Sequence, residues 1–311
     1  MTVDRSGGAK ASYSRRRRVN PMSAGAWPLL FIGPLMLGVL IFYYFPIIGN
    51  LYASLTRTNA FGGDQKFVGL ENSTLFSRPD LPSAMVNTLF YTAVVLLAVP
   101  ISVVIASLLE LPGLKGRAVY RVLFFMPYLA MPVAIVQVWR LFYNGNFGLL
   151  NQMLKAIGIS DPPYWLSTPG VVMLAVAIFG IWGSIGFNVI ILSAGLKAIP
   201  KELYEAAQID GASSWHQFKN ITVPLLTPSI FFLTIMQAIG GFQLFDALYA
   251  MLGAGNPAAN SSRSLVSLFY QEAFVNNNRG VGAAVSILIL ALVGVVTAIQ
   301  FWGQKKWVHY V

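Results

Sequence analysis

Few side chains in this sequence could make or break a bond. Its 311 residues hold 11 carboxylates, two histidines and no cysteine, which excludes disulfides, zinc–thiolate centres and iron–sulfur clusters. No phosphate loop of the form G-x-x-x-x-G-K-[ST], no H-E-x-x-H and no G-x-S-x-G occurs. No catalytic residue and no metal site is therefore expected. His216 and His309 lie in polar segments outside the apolar runs. Asp246 is the carboxylate placed deepest along such a run, and an acid at that depth is a functional candidate by default. It either meets a transported solute or pairs with a helix of a partner. One such acid is too few for a proton relay, so the chain is either driven from outside or a passive pore.

The residues with the most informative spacing run Glu205-Ala-Ala-Gln-Ile-Asp-Gly-Ala-Ser-Ser-Trp-His-Gln-Phe-Lys-Asn-Ile-Thr-Val-Pro224. Pro200 suits the first position of a helix, and Glu202 and Glu205 in its opening turns complement the helix dipole. Gly211 stops that helix by adopting positive φ. Ser214, with Gln217 three places on, has the spacing of a capping box and starts a second short helix. Pro224 and Pro228 close the segment. Two short capped helices around a glycine bend are a rigid part that another protein could grip.

The elements that hold this part are membrane spans. The chain is 56% hydrophobic and 10% charged, against about 25% charged in a soluble domain. Asp, Glu, Lys and Arg are absent from 19–56, 81–109, 122–139, 162–196, 220–245 and 280–304, each long enough for the ~18–20 apolar residues of a spanning helix. The expected fold is an all-α integral membrane protein of six transmembrane helices, at about 27–51, 87–109, 119–142, 171–193, 225–248 and 281–302. These form one permease domain, 27–303, between a basic, disordered cytoplasmic tail at 1–26 and a short cytoplasmic tail at 304–311. With the N-terminus inside, fourteen of the 21 basic residues fall on the inner side and seven on the outer. That excess places both termini in the cytoplasm. The net charge of +10 is thereby topological, and no nucleic-acid partner is expected. Arg15-Arg-Arg-Arg18 reads as a retention flank touching anionic lipid, since a twin-arginine export signal would need a cleavage site. Gly180, Gly183 and Gly186 are expected to let a neighbouring helix approach. The stretch 144–169 is amphipathic enough to lie on the bilayer surface.

The pattern E-A-A-x-x-D-G-A-x-x-x-x-x-F-x-x-I-x-x-P over 205–224 resembles the EAA loop of ATP-binding-cassette importer permeases. Its flanks, Gly195-Leu-Lys-Ala-Ile-Pro-Lys-Glu-Leu-Tyr204 and Leu225-Leu-Thr-Pro228, are similar to the carbohydrate-uptake group of maltose and glycerol-3-phosphate type. Phe245-Asp-Ala-Leu-Tyr249 and Trp307-Val-His-Tyr310 resemble the longer of that group's two permease subunits. Gly253-Ala-Gly-Asn-Pro257 departs from the family's Thr-Gly-Gly-Gly-Pro turn. The likeness covers roughly 28–310.

The resemblance implies a type I importer permease in a bacterial or archaeal cytoplasmic membrane. The coupling loop, 195–224, would dock on a separate ATPase through Glu205, Ala206, Ala207, Asp210 and Gly211. It implies a second permease subunit, two ATPase chains that bind the ATP and Mg (this chain holding no cofactor), and an extracytoplasmic substrate-binding protein. Trp182, Ser184 and Asn188 on span four, with Gln237, Gly241 and Leu244 on span five, resemble the sugar site of maltose-type permeases by position. Asp246 joins them as a pathway candidate. Amides and hydroxyls suit a sugar's hydroxyls, and Trp182 could either stack on a sugar or simply pack. Within the family the alternative cargo is glycerol-3-phosphate or a glycerophosphodiester. Outside it, the alternative is an ATP-independent channel or secondary carrier.

Overall fold

The structure is a computed structural model that describes residues 27–57, 66–111, 113–253 and 255–308. The basic tail, residues 58–65, His309 and Tyr310 lie outside the described residues. The described residues fall into two compact units that divide after Gly49. α1 (Trp27–Val39) passes through a π-turn at Leu40–Tyr44 into α2 (Phe45–Ser54), whose residues from Asn50 on belong to the second unit. The π-turn closes with Phe45 N–H on the Leu40 carbonyl. It sits immediately before Pro46, which cannot donate the next helical hydrogen bond.

The second unit is built from long apolar helices. These are α3 and α4 (Asp80–Val95 and Ala98–Leu109), α8 (Val171–Ala198), α11 (Val223–Phe242) and α14 (Arg279–Trp307). Together with the stretch Leu29–Ser54 they supply five helical stretches long and apolar enough to cross a membrane. At 28 residues, α8 is ~42 Å long, more than the ~30 Å hydrocarbon core. The expected third span is not one straight helix. It is α5 (Arg117–Leu129) followed by α6 (Pro132–Phe142), bent by 100° at Ala130-Met131. Pro132 takes the first turn of α6 and forces Met131 into the extended region (ψ 117°). The six spans are reached only by counting this broken pair as one.

α8 is the central post. A Cβ on Gly186 would lie 2.9 Å from Phe125 Cα and nearer still to the Phe124 carbonyl oxygen, so α8 and α5 meet backbone to backbone. A Cβ on Gly180 would lie 2.6 Å from the Tyr91 hydroxyl of α3. The packing expected of the glycine series holds at these two positions, whereas Gly183 faces open space. At the starting end of α8 one buried cluster joins Tyr143, Val172, Met173, Leu248 and Met251. At its other end a second joins Val103, Leu109, Leu192, Ile199 and Leu226, with Tyr204, Phe218 and Ile221 packed against it.

A third cluster, with Leu75, Leu81, Leu268 and Val285, ties α3 to α13 (Leu265–Tyr270) and α14. Beside it lies an ionic clamp. Glu272 is 2% exposed and accepts from Arg78 Nη2 at 2.9 Å and Asn276 Nδ2 at 3.0 Å. Arg78 also reaches Asp80 at 3.1 Å, and Arg263 lies 3.7 Å from the same carboxylate. The Glu272 hydrogen bond holds the Arg78 guanidinium above its ordinary pKa, against the cost of desolvation. This clamp fastens the connection before α3 to the one before α14.

Candidate functional site

The polar segment 195–224 begins where α8 ends. Ile199 is extended and buried, and Pro200 is the N-cap of α9 (Lys201–Ile209), one position earlier than the sequence suggests. The helix stops as expected. Gly211 has φ +75°, its N–H donates to Gln208 O at 3.1 Å, and Ala212 N–H donates to Ala207 O at 2.8 Å. This pair of bonds is the Schellman closure, which satisfies two carbonyls left open by the helix end.

The next helix starts at Ser214, but its cap is Ser213. Ser213 Oγ accepts from His216 N–H at 3.3 Å, and Gln217 Nε2 donates to Ala212 O at 2.9 Å. Nor is that helix short. α10 (Ser214–Gln217) runs through a π-turn at Phe218–Thr222 into α11, giving one apolar helix over Ser214–Phe242. Pro224 and Pro228, read from sequence as stops, are absorbed. The π-turn, closed by Val223 N–H on Phe218 O, precedes Pro224. The Pro224 carbonyl that Pro228 cannot serve accepts from Thr227 Oγ1 at 2.6 Å. Tyr204 Oη lies 3.0 Å from Thr222 Oγ1, bracing α9 on the π-turn. The segment is thereby continuous with α11.

Glu205, Ala206, Asp210 and Gly211 are exposed and Ala207 is half-buried. Sequence reasoning overlooked their apolar neighbours: Ile209 is 87% exposed, Trp215 71% and Leu203 43%. Their signal was available, as bulky apolar residues in a segment too polar to bury them. An open groove of about 510 Å³ between α9 and α10 is lined by Asp210, Ser213, His216 and Asn220.

The pathway candidates separate by environment. Asn188 is 1% exposed, and neither Nδ2 nor Oδ1 has a hydrogen-bond partner; Gln237 Nε2 is likewise buried and unpartnered. Ser184 Oγ donates to Ile181 O at 3.0 Å. Trp182 packs edge-on to Trp139 with centroids 5.3 Å apart, and also meets Phe179. Gly241 and Leu244 serve packing. A Cβ on Gly241 would lie 2.6 Å from Thr92 Oγ1, and Leu244 is buried with its carbonyl accepting from Ser264 Oγ at 2.5 Å. Asp246 is not inside the fifth span. α11 ends at Phe242, after Gly240-Gly241, and Asp246 opens a separate helix, α12 (Asp246–Leu252), as an exposed first-turn acid complementing its dipole. Among the described residues no three His, Asp or Glu side chains come together.

Residues 87–308 match the family model described as "Binding-protein-dependent transport system inner membrane component". The chain belongs to this family. It is a transmembrane permease component of an ATP-binding-cassette transporter, placed in the inner membrane. It is 37% identical to the trehalose/maltose transport system permease protein MalF of Thermococcus litoralis, over 85% of this chain and 88% of the relative. It is 34% identical to the sn-glycerol-3-phosphate transport system permease protein UgpA of Agrobacterium fabrum, over 91% and 96%. The arabinooligosaccharides transport system permease protein AraP of Bacillus subtilis is also 34% identical, over 89% and 88%. The fold superposes with a TM-score of 0.77 on a chain of a bacterial ABC transporter that imports the acidic polysaccharide alginate. That match has 23% identity and covers 90% of this chain and 96% of the other.

Proposed function

We propose that this chain is one permease subunit of an ATP-driven importer of sugars or oligosaccharides, gripped by a separate ATPase at 195–224. The observation that carries the reading is the unbroken helix Ser214–Phe242. Its first turn belongs to the exposed segment and its body crosses the bundle, so a pull on the segment moves a span as a rigid body. Glu205 and Asp210 supply charge for the ATPase groove. Ala206 allows close approach, and Ile209 and Trp215 supply apolar contact. The complete transporter comprises a second permease, two ATPase chains carrying ATP and Mg, and an extracytoplasmic binding protein that delivers the solute. Both termini face the cytoplasm, and this chain performs no chemistry itself.

The solute reading rests on Asn188 and Gln237. Amide groups buried without partners are costly, and in hydrocarbon no water compensates them. A hydroxylated solute passing between α8 and α11 supplies the missing bonds. No Lys or Arg accompanies them in 171–196 or 220–242, which favours a neutral contact at this depth over a phosphate. In the reconstituted transporter, Asn188→Ala and Gln237→Ala are expected to change uptake of maltose at least about fivefold, from the loss of one or two hydrogen bonds of ~1 kcal/mol each. Uptake of maltose, trehalose and glycerol-3-phosphate at unchanged rates in both variants removes these residues from the pathway.

A further inference from the structure

At the end of the bundle where α8 begins, a pocket of about 270 Å³ is lined by Arg140, Asn144, Asn146, Tyr164, Ser167 and Asn256, and by Tyr143 behind them. It lies the length of α8 away from the segment 195–224, and nothing in the coupling or pathway reading uses it. Three separate stretches build it. Asn256 Nδ2 donates to Leu166 O at 2.8 Å, fixing the connection after α12 to the one before α8. Gly145 lets the Tyr164 ring lie against the backbone, since a Cβ there would stand 2.5 Å from Cε1.

No carboxylate lines the pocket, and three of its amide oxygens already accept internally. Asn144 Oδ1 accepts from the N–H groups of Asn146 and Phe147 at 2.9 and 3.1 Å, Asn256 Oδ1 from Ala258 N–H at 2.9 Å, and Asn146 Oδ1 from Tyr164 Oη at 3.4 Å. Arg57, Arg78, Arg117, Arg121 and Arg263 are ion-paired. Arg140 meets no carboxylate among the described residues and makes one neutral bond, from Nη1 to Gln137 Oε1 at 3.1 Å. A guanidinium with free N–H groups in a pocket without carboxylates is complementary to an oxyanion, which it can take bidentately. The wall also leads inward. Tyr143 packs tilted against Trp139 with centroids 5.2 Å apart, and Trp139 edge-on to Trp182 at 5.3 Å, reaching α8 two residues before Ser184.

We propose that this pocket is an entry subsite for the oxyanion of a hydroxylated solute, the carboxylate of a sugar acid or the phosphate of a sugar or glycerol phosphate, held by Arg140. The inference rests on the import reading for the solute's direction of travel. It is tested without the ATPase, so a failed titration leaves the coupling claim standing. The full chain in phospholipid nanodiscs is titrated with D-galacturonate, sn-glycerol 3-phosphate and neutral D-galactose, following its tryptophan emission, to which Trp139, Trp165 and Trp182 near the pocket contribute. At least one anion is expected to give a saturable change that galactose does not. Arg140→Gln should weaken it about tenfold or more, as loss of a charge-assisted hydrogen bond predicts, and Arg140→Lys should recover part of it. Saturation by galacturonate assigns a carboxylate, and saturation by glycerol phosphate a phosphate. An equal response to galactose, an anion response that survives Arg140→Gln, or no saturable response to either anion overturns the proposal.

Discussion

Replacing Gly211 by proline is expected to reduce solute-stimulated ATP turnover of the assembled transporter at least about tenfold. Proline holds φ near −65°, whereas the native backbone stands at +75° and donates its N–H to Gln208. The substitution removes that bond and reverses the bend. The last turn of α9 then opens, and Glu205 to Asp210 lose their fixed placement on the helix. The membrane bundle is untouched, because Gly211 is exposed and a Cβ there meets nothing within 4 Å. Membrane level and melting temperature should therefore match the parent protein. Turnover within about a factor of two of the parent would show that the bend does not transmit force.

The second large effect is on stability. Gly186→Leu drives a side chain into the Phe124 carbonyl and Phe125 Cα, and backbone cannot yield as a side-chain tip can. Overpacking of this kind costs ~1–3 kcal/mol, sometimes more. The expected readout in detergent is a melting temperature lower by several degrees, with α5 levered off α8. Gly183→Ala, which meets open space, serves as the control and should leave the melting temperature unchanged. Equal destabilisation by the two substitutions would contradict the close α5–α8 contact.

Much of the fold can be read from charge-free runs, because hydrocarbon excludes charge whatever the tertiary structure. The helix stop at Gly211 is equally legible, since only a residue tolerant of positive φ closes the Schellman turn. Direction and continuity are harder. The run 122–139 announces apolar length but not the 100° bend, which depends on Met131 being forced extended ahead of Pro132. Pro224 and Pro228 look like breaks, yet a π-turn and the Thr227 hydroxyl carry the helix through them. Ser214 has the capping-box spacing to Gln217, yet the turn before it puts Ser213 in the cap position. Asp246 appears deep in a span because its apolar neighbours continue past the helix end at Phe242. The entry pocket was invisible in sequence, since Arg140, Tyr164 and Asn256 meet only through the packing of α6 and α12 and the connections beside them. Asn188 was found by its type, but its missing partners are a property of the fold alone.

The central claim is that a separate ATPase grips this chain at 195–224. The most direct measurement is subunit composition. The tagged chain is purified from its own membranes in mild detergent, and the co-purifying chains are counted by mass. The account predicts an ATPase carrying a phosphate-binding loop at two copies per complex, with most of it lost in Glu205→Lys, while the second permease stays bound. A chain that purifies without an ATPase, or a Glu205→Lys variant that retains it at full stoichiometry, would contradict the account.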